Sequence, residues 1–318
     1  MNNMFIEFKL EPSNMLNTQR AYGDKSQVSF LSPTVLGYAA MTLVLLIWSS
    51  FALSIRTIEA STLTIADVAL LRFMVPALLL APWAAKHLKT IKLIKFTDFA
   101  LILLGGIPFV FLAALGAISV PTAYVGTILA GTPALFVSII SAVFLAQVIS
   151  KKRMFPLSLI LLGVLVMILS GQKVLSLQTL TGFGFLFMAS SCWAIFAITL
   201  KRVNLKPVAV VIILSYCSGF IMLVLISSGM VDSELGHFSL QQALPFIVIQ
   251  GVGIGVVATI CFSYAVNQLG ANQASVLGSL SPAITALLAV PILGEPLSLF
   301  IGCGIGLTIV GVILSHRC

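Results

Sequence analysis

Ten stretches of about twenty mostly apolar residues follow one another from Thr34 almost to the C-terminus, and this succession limits the folds open to the chain more than any other feature. A helix rises about 1.5 Å per residue, so roughly twenty residues cross the ~30 Å hydrocarbon layer of a bilayer. Of the 318 residues, 59% are hydrophobic and 8% are charged. A soluble domain carries roughly a quarter of its residues as Asp, Glu, Lys and Arg, and no aqueous surface can be assembled from so few. The pattern predicts an all-α polytopic membrane protein of ten transmembrane helices. They are expected near residues 34–55, 65–85, 99–120, 124–145 and 155–170, then 182–200, 208–228, 244–266, 274–293 and 299–314.

The net charge of +8 could point to nucleic acid, but the basic residues fall in short clusters between apolar runs. They form no stripe along one face, which argues against nucleic acid as a partner. Short cytoplasmic loops retain an excess of Lys and Arg. With the N-terminus inside, the inner segments hold Lys9, Arg20, Lys25, Lys86, Lys89, Lys92, Lys95, Lys151, Lys152, Arg153, Lys201, Arg202, Lys206 and Arg317, while the outer loops hold Arg56 and Lys173. Both termini are therefore expected in the cytoplasm. Residues 1–33 are polar and mixed in charge, without the pattern of a cleaved leader. They read as a disordered cytoplasmic tail, or in part as an over-long start, since Met4 and Met15 precede the first apolar run. The lack of a targeting signal fits a bacterial inner membrane. Cys192, Cys217, Cys261 and Cys303 lie inside apolar runs, with no metal-ligand spacing and no disulfide framework.

Two related stretches indicate an internal repeat: PALFVSIISAVFLAQVIS from Pro133 and PAITALLAVPILGEPLS from Pro282. IWSSFALSI around Trp48 is likewise similar to CWAIFAITL around Trp193. Residues 34–172 and 180–315 are read as two five-helix repeats. Five is odd, so the second repeat enters the membrane in the opposite sense, an inverted-topology repeat of the kind built for alternating access around a central site. Duplicated halves can also simply make a stable bundle.

These residues resemble the EamA-type family of the drug/metabolite transporter superfamily over about residues 36–314. The resemblance rests on IWSSF from Ile47, LLRF from Leu70, SPAITALLAVPILGE from Ser281, and the count of ten spans. It implies a ten-helix inverted-repeat fold with a central cavity, a small-molecule substrate, and no metal or organic cofactor. The chain departs from the family pattern at Ala146 and Gln147, where the first half usually ends in a Gly-Glu pair.

Arg72 falls well inside the second span, where a charge is costly unless paired or hydrated, so it should face the bundle interior. It would attract an anionic or carboxylate-bearing group, or serve as a snorkelling or carbonyl-bound structural arginine. Asp67, five residues earlier, is nearly on the opposite helix face. Trp48, Ser50, Ser191 and Trp193 combine aromatic and hydroxyl groups suited to a metabolite site, although Ser also allows close helix approach and Trp favours interfaces. Tyr124 and Thr127, and Ser275 and Ser279, give the fourth and ninth spans a small, polar stripe. Pro133 and Pro282 are matched breaks that can free carbonyls or merely kink packed helices. Tyr264 and Asn267 form a gate or an interfacial belt. Gly251 with Gly255, and Gly302 with Gly306, have the GxxxG spacing used for close helix packing.

The function expected from these features is carriage of a small neutral, zwitterionic or anionic metabolite, such as an amino acid, in a direction that stays open. The bilayer is the other partner, and the state as monomer or homodimer is also open. No carboxylate lies near a span centre, which disfavours proton exchange through a buried glutamate. A channel or lipid scramblase is the alternative. A membrane enzyme is less favoured, because His87, His237 and His316 are scattered and no HExxH motif occurs.

Overall fold

The computed structural model describes residues 32–58, 61–119, 122–144, 151–169, 176–293 and 299–315, with some helical side chains outside that description. The chain divides into residues 1–32 and a unit from Pro33 to Cys318. The fold below is that of the second unit. The expected tail lies outside the described residues except for Ser32 and Pro33.

The described residues are helical, without strands. The first expected span is α1 (Pro33–Ile58). The second is α2 (Ile65–Leu79), followed at an angle of 89° by α3 (Ala81–Lys92). Here the sequence reading needs correction, because it ran the second span on to residue 85. Pro82 has no N–H to give the Leu78 carbonyl and its ring would crowd that group. The helix therefore stops at Leu79, Leu80 closes it by donating to the Pro76 carbonyl at 2.9 Å, and a new helix starts with Pro82 in its first turn.

The third span joins α4 (Phe96–Leu103) to α5 (Ile107–Ser119) through a turn at 104–106. A Cβ on Gly105 would stand 2.7 Å from the Phe196 ring, so only glycine allows this approach. The fourth expected span falls on two half-helices, α6 (Thr122–Gly131) and α7 (Pro133–Phe144), and the fifth expected span on α8 (Lys151–Leu169). Long, continuous α9 (Leu177–Val203) and α10 (Pro207–Ser227) follow. Asn204, in the left-handed conformation that ends many helices, stops α9.

The eighth span runs over Leu240–Leu269. It comprises α11 (Leu240–Phe246), a π-helical stretch Ile247–Ala258, and α12 (Thr259–Leu269). Its wide turns carry Gly251, Gly253 and Gly255. The ninth expected span again falls on two half-helices, α13 (Ala271–Gly278) and α14 (Ser281–Leu293), before α15 (Leu299–Ser315). By length and apolarity, four helical stretches cross a bilayer outright among the described residues: Phe96–Ser119, Leu177–Val203, Pro207–Ser227 and Leu240–Leu269. The bent α2–α3 pair can make a fifth, and shorter apolar helices cover Pro33–Ser49, Pro133–Val143, Met154–Val166 and Gly302–Ser315.

The helices pair across the chain: α8 with α15, α9 with α5, α2 with α10, and α1 with α12. Inside a bilayer there is no hydrophobic drive between helices, so close packing and hydrogen bonds must hold them. Glycines supply the closeness. A Cβ on Gly251 would meet Val75 at 2.6 Å, and one on Gly255 would meet the Arg72 carbonyl at 2.6 Å, so this GxxxG pair seats the π-helical stretch on α2. The other pair does not do so. Gly302 and Gly306 have nothing within 4 Å, whereas Gly163 of α8 lies against the Gly304 carbonyl, 2.6 Å from a Cβ built there. Gly311 similarly meets the Pro156 carbonyl at 2.9 Å. The packing face of α15 is therefore Gly304, Thr308 and Gly311, offset by two residues from the expected stripe. The largest core cluster forms where α1, α9, α12 and α13 meet, around Met41, Val44, Phe196, Phe262 and Ala274.

Candidate functional site

At that crossing a cavity lies between the two halves of the chain. Its charged lining residue is Arg72 from α2; Trp48 comes from α1, Trp193 and Phe196 from α9, Ser215 from α10, and Phe262 from α12. The space open to the centre of a water molecule is about 20 Å³, which is room for about one water. That is too little for a metabolite, so the lining must move before one can occupy the site beside Arg72.

The aromatic side chains form one continuous cluster. Trp48 and Trp193 meet nearly edge to face, with centroids 5.6 Å apart and planes at 74°. Phe262 bridges them, 5.7 Å from Trp48 and 5.1 Å from Trp193. Phe109 and Phe196 flank Trp193 at 5.1 and 5.2 Å. Each such contact contributes about 0.5–1.5 kcal/mol beyond the burial itself. Trp48 has no close ring other than Trp193 and Phe262 among the described residues, so its orientation depends on helices of the second half.

Among the described residues the Arg72 guanidinium has no hydrogen-bond or ion-pair partner. Asp67 is fully engaged elsewhere. Its carboxylate accepts from the Thr64 N–H at 2.9 Å and the Thr64 hydroxyl at 2.8 Å, capping α2, and from the Ser233 hydroxyl and the Glu234 N–H in the segment after α10. The Ser215 hydroxyl, on a residue only 2% exposed, also has no partner among the described residues. Thr259 at the cavity edge already donates to the Ile254 carbonyl at 2.9 Å, one of the wide turns of the π-helical stretch.

Of the residues expected from sequence, Arg72, Trp48 and Trp193 come together here. Ser191 is not in the lining; its hydroxyl donates back to the Phe187 carbonyl at 2.9 Å. Tyr264 is half-buried on α12 and also outside the lining. Ser275 and Ser279 are buried near the break in the ninth span, Ser279 donating to the Val276 carbonyl at 2.6 Å and Ser275 without a partner among the described residues. Pro133 opens α7, and Pro282 is the second residue of α14. The carbonyls near these breaks are occupied from within the protein. Ser49 donates to the Ser281 carbonyl at 3.3 Å, and Thr132 to that of Ile128 at 2.8 Å. The side chains of Ser50, Tyr124 and Thr127 lie outside the described residues.

Phe196, Ser215 and Phe262 were missed. Phe196 was open to discovery, because it stands three residues after Trp193 as Phe51 stands after Trp48, inside the two similar stretches. Ser215 and Phe262 carry no such signal; each is a common residue type in a mostly apolar run, and neither lies in the two similar stretches.

Residues 180–317 match the EamA-like transporter family. An uncharacterized transporter of Clostridium kluyveri is 26% identical over 260 residues, covering 79% of this chain and 83% of its own. A protein of known crystal structure shares the fold, with a TM-score of 0.70 at 16% identity over 91% of this chain and 97% of that one. The apolar helices make the protein an integral membrane protein, and over residues 180–317 it is similar to the EamA-like transporter family.

Proposed function

We propose that the protein is a membrane transporter that carries a small neutral, zwitterionic or anionic metabolite, such as an amino acid, by alternating access through the Arg72 cavity. The observation that carries this reading is the meeting of Trp48 and Trp193 beside Arg72. Two similar stretches of sequence, one from each half, place their tryptophans at one point.

The helix pairing supports two repeats of five spans. Exchanging the halves turns the α1–α12 pair into the α9–α5 pair, and α1–α14 into α9–α7, while α2–α10 and α8–α15 map onto themselves. The same exchange relates the break before Pro133 to the break before Pro282, and Phe109 on Trp193 to Phe262 on Trp48. The distribution of Lys and Arg makes the second repeat inverted, with both termini cytoplasmic, as in a bacterial inner membrane.

Polar contacts close the bundle at either end of α10. Just before α10, Arg202 pairs with Asp98 and Lys201 donates to the Asn267 carbonyl. Just after it, Asp67 holds Ser233 and Glu234. Alternating access would open one set while the other stays made.

The test is solute counterflow in proteoliposomes with a panel of labelled amino acids and organic anions. A carrier gives saturable uptake that is accelerated by the same compound on the far side. Uptake that rises linearly with concentration, without acceleration, would instead establish a channel.

A further inference from the structure

Resting on the transporter reading, we infer that the cavity selects singly charged organic anions with a flat apolar body, an aromatic carboxylate being the simplest, over zwitterions and neutral analogues of the same shape. Two unpartnered donors converge on the space: the Arg72 guanidinium, and the hydroxyl of Ser215, which is 98% buried by its 2% exposure. Guanidinium binds a carboxylate through two parallel hydrogen bonds, a geometry a point charge cannot offer. The rest of the wall is rings, with Trp48, Trp193 and Phe262 in mutual contact, so the body that accompanies the carboxylate must be apolar and thin enough to stack.

What the described lining lacks sharpens the choice. It contains no Asp or Glu, and the nearest carboxylate on the same helix, Asp67, is fully occupied at the helix start. An α-ammonium carried in with the carboxylate would give up its water for ring faces alone. Cation–π contact returns about 0.5–2 kcal/mol, against a desolvation cost of several. A dianion would bring a second charge for which the lining has no cation. One guanidinium and one carboxylate leave the site neutral.

The test uses a matched series: 3-phenylpropanoate, phenylalanine, 3-phenylpropanamide and 3-phenylpropylamine, titrated into the purified full chain by calorimetry. The expected order places 3-phenylpropanoate about tenfold or more tighter than phenylalanine and the amide, with no binding of the amine. Arg72→Gln should lose about tenfold or more for the anion and leave the amide unchanged, and Arg72→Lys should recover part of the loss. Equal or tighter binding of phenylalanine or the amide would overturn the proposal, as would a folded protein that binds none of the four. Flux measured on the same samples separates the two readings. Binding of the anion without flux would sink the transporter and keep the site, whereas saturable flux of a zwitterion that survives Arg72→Gln would keep the transporter and sink the site.

Discussion

A guanidinium held among apolar side chains loses its water, and without a carboxylate nothing returns that cost. Arg72 is half-buried at the cavity with no carboxylate in the described lining, so a ligand explains it better than the fold does. Arg72→Leu is accordingly expected to raise the thermal stability of the detergent-solubilised protein, by about 1 kcal/mol or more, while abolishing anion binding. A structural arginine would give the reverse, a lower melting temperature. Gly255 is the opposite kind of residue, fixed by packing. A methyl there would stand 2.5 Å from Pro76 and 2.6 Å from the Arg72 carbonyl. Gly255→Ala should cost about 1–3 kcal/mol, read as a fall in melting temperature. Asp67 serves two neighbours, so Asp67→Ala should remove about 0.5–2 kcal/mol of capping and speed protease cleavage in the 228–239 segment.

Within elements, apolar length was legible and direction was not. Runs of about twenty apolar residues located the long helices to within a few residues, because the bilayer sets their length. The 89° turn after Leu79 was not read, although Pro82 was visible, since a proline is tolerated inside a membrane helix when neighbours satisfy the freed carbonyl. The π-helical stretch Ile247–Ala258 left no mark in the sequence beyond its glycines. The glycine stripe of α15 was misread for a related reason: a helix apolar on every side gives no periodicity, and only the partner helix α8 decides which glycines face it. Gly163→Leu should therefore destabilise the α8–α15 pair and lower the melting temperature by several degrees. Gly306→Leu, facing open space, should leave it unchanged. If the two effects were exchanged, Gly302 and Gly306 would be the packing face after all.

At the scale of the molecule, the tryptophan stretches and the matched prolines pointed to an internal repeat, and the distribution of charges to an inverted one. The centre was legible only in part. Arg72, Trp48 and Trp193 stand out as rare residue types in apolar runs, whereas Ser215 and Phe262 reach the cavity through the pairing of α10 and α12 with distant helices. That pairing is long-range and leaves no local signal. The central claim is that this one cavity opens to each side of the membrane in turn. It is tested most directly by Ser215→Cys in a background lacking the five native cysteines, labelled in oriented vesicles with a membrane-impermeant thiol reagent. The account expects labelling from either face, with blockade on one side by bound anion protecting the thiol from the other. Labelling from one face only, or from both at rates no ligand alters, would contradict it.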